Sequence, residues 1–164
     1  MKINQEQLKY INNTCGTNYK SIKEIDWDKI SKQNLPEKFI REFADQLDWY
    51  YICRDQELSE ELMSDFREYL HWRTICVYQT LSEDFIHKFQ DDVHWDVILL
   101  YQKVSFEFII EHIKRFDFED YTLYYSIREN IIRQLKDYVN WTYVSKYSKL
   151  SDEFKEEFKY KLNN

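Results

Sequence analysis

Tryptophan recurs along this chain at an almost fixed interval. Trp27, Trp49, Trp72, Trp95 and Trp141 are separated by 22, 23, 23 and 46 residues, and Phe118 divides the last gap into two intervals of 23. A period of this length marks a repeat architecture, in which each copy is one supersecondary unit that buries its apolar face only against its neighbours. Starting each copy at its aromatic gives six repeats, 27–48, 49–71, 72–94, 95–117, 118–140 and 141–164. One residue is missing before Leu35 in the first.

Other positions then fall into line. Three residues after the aromatic stand Ile30, Ile52, Ile75, Ile98, Tyr121 and Val144. Nine after it, or eight in the shortened repeat, stand Leu35, Leu58, Leu81, Val104, Ile127 and Leu150. Ser59-Glu60-Glu61, Ser82-Glu83-Asp84 and Ser151-Asp152-Glu153 follow as helix starts, a hydroxyl cap with acids at the positive end of the dipole. Pro36-Glu37 serves the same purpose in repeat one. Phe85, Ile86, Phe89 and Val93, like Phe39, Ile40, Phe43 and Leu47, are spaced by one, three and four residues, which is one face of a helix. Each repeat therefore reads as a short helix opened by Asp26, Asp48, Asp117 or Asn140, a turn, and a second helix of about eleven residues. Tyr78, Tyr101 and Tyr147 are expected to join the apolar face of the first helix.

Sandwiches and barrels need frequent turn residues, and this chain has one Gly and one Pro. The expected fold is all-α, an α-solenoid of six tandem helix-turn-helix repeats in one structural domain. Residues 1–26, with Leu8 and Ile11 after Asn4, form an N-terminal helical cap that covers an otherwise open end. No stretch reaches the length of a membrane span, and the start lacks the apolar run of a signal peptide. Cys15, Cys53 and Cys76 are an odd set without a C-x-x-C pair, which argues against a disulfide framework and fits a reducing cytoplasm.

The segment from Leu81 through Phe85, Ile86 and Phe89 to Trp95 and Ile98 resembles a short helical repeat of uncharacterised proteins from large DNA viruses, phages and low-GC bacteria. The resemblance covers all six repeats and implies an α-solenoid of viral or mobile-element origin. It implies no catalytic residue, because the shared positions are core and caps. Abundant Lys, Asn, Ile and Tyr beside a single Gly, Pro and Ala agree with an AT-rich genome. Repeat five departs most from the pattern, with Phe118 for Trp and Arg128 for Ser.

Nothing in the sequence reads as an enzyme, and no catalytic residue, metal ligand or cofactor is expected. His71 and His94 share one repeat position, where other repeats carry Asp or Asn, so helix capping explains them. Adjacent helices pack about 8–10 Å apart, too far for that pair to bind one zinc ion without rearrangement. Cys53 and Cys76 are also repeat-equivalent and read as small core positions.

Recognition is expected where the repeats differ. Five residues after the aromatic, the end repeats carry Lys32, Arg54 and Lys146, whereas the middle ones carry Val77, Leu100 and Leu123. Repeat four adds Phe106, Ile110 and Ile113, making its second helix apolar on most sides. Such a helix is either buried more than its siblings or offers a partner surface. Tyr50, Tyr51 and Tyr143 are further aromatics suited to an interface. The charge of −7 centres on repeats two and three, at −4 and −2, with Glu57, Glu60, Glu61, Asp65, Glu68, Asp91 and Asp92. A solvated face or steering toward a basic partner would account for it.

These features lead to a non-enzymatic protein-protein interaction module in the host cytoplasm, blocking a host factor such as a defence nuclease or CRISPR effector. The alternative is a self-assembling structural protein, a homodimer through repeat four. Nucleic-acid binding ranks below both, since the net charge repels phosphate.

Overall fold

The computed structural model describes residues 3–117 and 129–162, and among these it contains helices and no strand. The fold is all-α and built from helix pairs that follow the 23-residue period. The first helices are Trp27–Ser31, Trp49–Asp55, Trp72–Tyr78, Trp95–Tyr101 and Trp141–Tyr147. The second helices are Glu37–Phe43, Glu60–Asp65, Glu83–Lys88, Phe106–Glu111, Glu129–Gln134 and Asp152–Glu157. The chain divides into two compact bodies, Met1–Gln79 and Thr80–Asn164, with the boundary inside repeat three. Among the described residues no helix is long and apolar enough to cross a membrane.

Local chemistry explains where the helices begin. Asp26, Asp48 and Asn140 each accept a hydrogen bond from a first-turn amide, and Ser59, Ser82, Ser105 and Ser151 do the same for the second helices. His71 and His94 occupy the equivalent N-cap position, yet neither side chain bonds a helix amide. The capping explanation for these histidines is therefore wrong. Asp and Asn carry an oxygen on a short arm that reaches the first-turn amides, and the larger imidazole does not reproduce that contact.

The second helices are shorter than their apolar spacing implies. Each is six or seven residues long, and those of repeats one, two and four continue into the 3-10 turns Ala44–Gln46, Arg67–Tyr69 and Ile113–Arg115. A tightened last turn is a common way to satisfy terminal carbonyls. The last apolar residue, Leu47, Leu70 or Phe116, is then extended and buried, which redirects the chain into the next repeat. The repeating Trp closes this junction, because its indole N–H donates to the carbonyl five residues earlier. Trp49 bonds Ala44, Trp95 bonds Gln90 and Trp141 bonds Lys136, each at 2.9 Å.

Ile30, Ile52, Ile75, Ile98 and Val144 are fully buried, as are Phe39, Leu62, Met63, Ile86, Ile132 and Phe154. Tyr78 and Tyr101 do not join this core, being 58% and 56% exposed. Their repeat position lies six residues after the aromatic, past the face that the Ile shares with its neighbours.

Two hydrogen-bonded ladders join consecutive repeats. At the end of the first helix, Gln56 accepts from the Leu35 amide and donates to the Gln33 carbonyl, at 2.9 and 2.7 Å. Gln79 accepts from Leu58 and donates to the carbonyls of Cys53 and Gln56, and Gln102 accepts from Leu81. These amides and carbonyls lie where the chain leaves one helix before starting the next, so no helix supplies their partners. In the second ladder the first-turn carboxylates of Glu37, Glu83 and Glu129 accept from the amides of Ser59, Ser105 and Ser151 in the following repeat. That bond holds the Glu129 carboxyl below its usual range.

The N-terminal helix Gln5–Cys15 has a reciprocal cap between Asn4 and Gln7, and it lays Tyr10 against Phe39 and Phe43. It ends at Gly16 with φ of 62°, the left-handed region. No atom lies within 4 Å of a Cβ added there, so Gly16→Ala meets no clash and its cost is the backbone alone. We expect a loss of about 1–2 kcal/mol in urea unfolding.

Candidate functional site

Repeat four carries the clearest surface feature. Its second helix buries Phe108 and Ile109, two residues, as the second helices of repeats two and three do. Ile110 is 38% exposed, and Phe106 and Ile113 are half-buried. The deeper burial expected of this helix does not occur. The serine cap and the core spacing hold it in the common register, which leaves Ile110 exposed and Phe106 and Ile113 only partly covered.

A groove of about 570 Å³ runs along this region, lined by the apolar Leu99, Leu100, Val104, Phe106, Ile109 and Ile131 and by the polar Gln102, Lys103, Asn130 and Gln134, while Ile110 and Ile113 lie outside its lining. Leu100 and Phe106, picked out separately from repeat irregularities, thus meet at one site. Val77 is half-buried in the other body, and Leu123 lies outside the described residues. A volume of this size accepts several side chains of a partner.

The second predicted aromatic site is already occupied by its own neighbours. Tyr50 is exposed and Tyr51 half-buried, their rings 5.4 Å apart. Arg54 lies over both, Lys32 lies 4.4 Å from the Tyr51 ring, and Tyr50 meets His71 edge-on. Tyr143 is half-buried and packs on Tyr147.

The acidic candidates separate into two groups. Asp65 pairs with Arg41 and Asp91 with Arg115, so their charge is compensated across repeats. Glu60 and Asp92 are half-buried. Glu57, Glu61 and Glu68 are exposed, and Glu61 adds to the negative field at Arg41 that Asp65 dominates, so repeat two presents an acidic surface.

The buried groups offer little nucleophilic chemistry. Cys53 is fully buried and burial pushes its thiol up to about 11, so it stays protonated. Cys76 is likewise buried.

A cluster not foreseen from sequence lies on the second helices of repeats three and four. His87 Nδ1 is 3.3 Å from His112 Nε2 and 3.8 Å from a Glu111 carboxylate oxygen. His112 is 7% exposed, its ring 4.4 Å from Phe108 and 5.0 Å from Trp95, and burial pushes its pKa down. His112 stands seventeen residues after its Trp, where repeats one to three carry Phe43, Phe66 and Phe89. Aligning that column is the sequence signal that would have exposed it.

Fold and site together define an all-α tandem helical-repeat protein with a groove of mixed polar and apolar lining in one body and an acidic surface in the other. No family model, curated protein or solved structure matches the chain.

Proposed function

We propose that this protein is a non-enzymatic binding module that takes a segment of a partner protein into the repeat-four groove. The observation that supports this reading is the groove in which Leu100 and Phe106 lie half-buried together, with Ile110 exposed on the same second helix as Phe106 though outside the groove lining. Solvent-facing apolar groups of this kind mark interaction sites. The exposed Glu57, Glu61 and Glu68 suit a partner with a basic surface, by steering its approach. The repeat's resemblance to those of viruses and phages makes a blocked host factor, such as a defence nuclease or CRISPR effector, the partner class to try first.

The test compares the native protein with Phe106→Glu and Ile110→Glu combined, in capture from host extract followed by titration of the captured protein. The native chain should bind, and the double variant should lose at least about 30-fold, the ratio equivalent to a hot spot of 2 kcal/mol. Unchanged affinity in a folded variant would rule out the repeat-four surface, groove and exposed Ile110 together, as the binding site. Self-assembly through the same surface is the second reading, favoured by the same exposed residues. It predicts a dimer in sedimentation at micromolar concentration that the double variant converts to monomer.

A further inference from the structure

We propose that His87, His112 and Glu111 form a binding site for a divalent transition metal ion, zinc in particular, which ties repeat three to repeat four. Their ligand atoms all lie within 4.8 Å of one another. Zinc takes imidazole nitrogen at about 2.0–2.1 Å in tetrahedral geometry, which sets two such nitrogens about 3.3–3.4 Å apart. The observed separation of 3.3 Å between the two histidines is that distance. The Glu111 oxygen lies 3.8 Å from His87, and its side chain is 63% exposed, so a small rotation brings it into range.

The neighbouring repeats show what this arrangement departs from. Arg41–Asp65 and Arg133–Glu157 are ion pairs between second helices, each 24 residues apart in sequence. His87–Glu111 has the same separation and stands in the same register, with histidine replacing arginine. That change alone would leave a weaker rung of the same ladder. The adjacent core position has changed as well, from the phenylalanine of repeats one to three to His112. Two imidazoles and a carboxylate thereby converge where other repeats hold an ion pair beside a ring.

His112 is the fixed member, wedged between Phe108 and Trp95, whereas the side chains of His87 and Glu111 are 55% and 63% exposed and free to close on an ion. Without metal, one imidazole N–H donates to the other ring's lone pair. On binding, that ring moves its proton to its other nitrogen and both lone pairs turn to the ion, so two neutral imidazoles release no proton. Three protein ligands leave the fourth position to water.

The experiment titrates zinc chloride into full-length, chelator-stripped protein by calorimetry. We expect one equivalent to bind and the unfolding midpoint to rise with zinc concentration. His112→Phe restores the ring that repeats one to three carry, so it should fold and lose the site. His87→Ala and Glu111→Gln should each weaken binding at least about tenfold, the lower bound for disturbing a metal's outer partners. Cobalt(II) should give the intense visible bands of a tetrahedral ion in the native protein and not in His112→Phe. Absence of binding, or binding unchanged in His112→Phe and His87→Ala, would overturn the proposal.

Discussion

Gln79→Met should cost the N-terminal body about 3 kcal/mol or more, measured as a lower urea midpoint. The side chain of Gln79 is buried and bonds three main-chain groups, accepting from the Leu58 amide and donating to the Cys53 and Gln56 carbonyls. Methionine matches it in length and leaves little cavity, so the loss comes from hydrogen bonding. Each buried backbone group left without a partner costs about 1–3 kcal/mol, and all three of these groups are main chain in segments that no helix completes. Gln79→Glu should fare no better, since a carboxylate accepts from Leu58 but turns oxygens toward two carbonyls. A loss below about 1 kcal/mol for Gln79→Met would mean that water replaces the amide at this junction.

The glutamines also show where reading this chain from sequence stops. Gln33, Gln56, Gln79 and Gln102 align as regularly as the tryptophans. A polar residue at a fixed place reads as surface, and the backbone amides that it serves leave no trace in a side-chain pattern. The apolar positions were legible because burial acts on side chains directly. Ile30, Ile52, Ile75, Phe39 and Phe85 all lie in the core that their spacing implies. The helix starts were legible for the same reason at Asp26, Asp48 and the serines.

Length and depth were less so. The second helices give way to 3-10 turns because the chain must reverse toward the next tryptophan, a demand set between repeats. Exposure of Ile110 likewise follows from a register imposed by neighbouring repeats. The histidines illustrate the limit most directly. Grouping them by shared repeat position selects His71 and His94, whereas the pair that meets, His87 and His112, comes from different positions of consecutive repeats. Position eighteen of the tandem unit, the column of Phe43, Phe66, Phe89 and His112, held the clue, and it becomes informative only once that column is known to face the helix before it.

Trp49→Ala should destabilise the N-terminal body by about 4 kcal/mol, and Trp141→Ala should cost roughly half as much. Both indoles donate to a carbonyl five residues back, so the hydrogen bond is common to the pair. Packing separates them. Trp49 is 5% exposed and lies 5.4 Å from Phe66 and 5.3 Å from Tyr69, with another repeat following it. Trp141 is half-buried and stacks on Phe158 in the last repeat. Trp49→Phe keeps much of the ring contact and orphans the Ala44 carbonyl, which isolates the hydrogen bond at about 1–2 kcal/mol. Repeat proteins hold together through nearest-neighbour interfaces, so the damage should be local at first. Hydrogen exchange should therefore rise around Ala44–Gln46 and Trp49–Asp55 in Trp49→Ala before it rises at Gln5–Cys15. Equal losses for the two alanine variants would mean that the indole N–H, rather than the buried ring, is what makes tryptophan the residue at which each repeat begins.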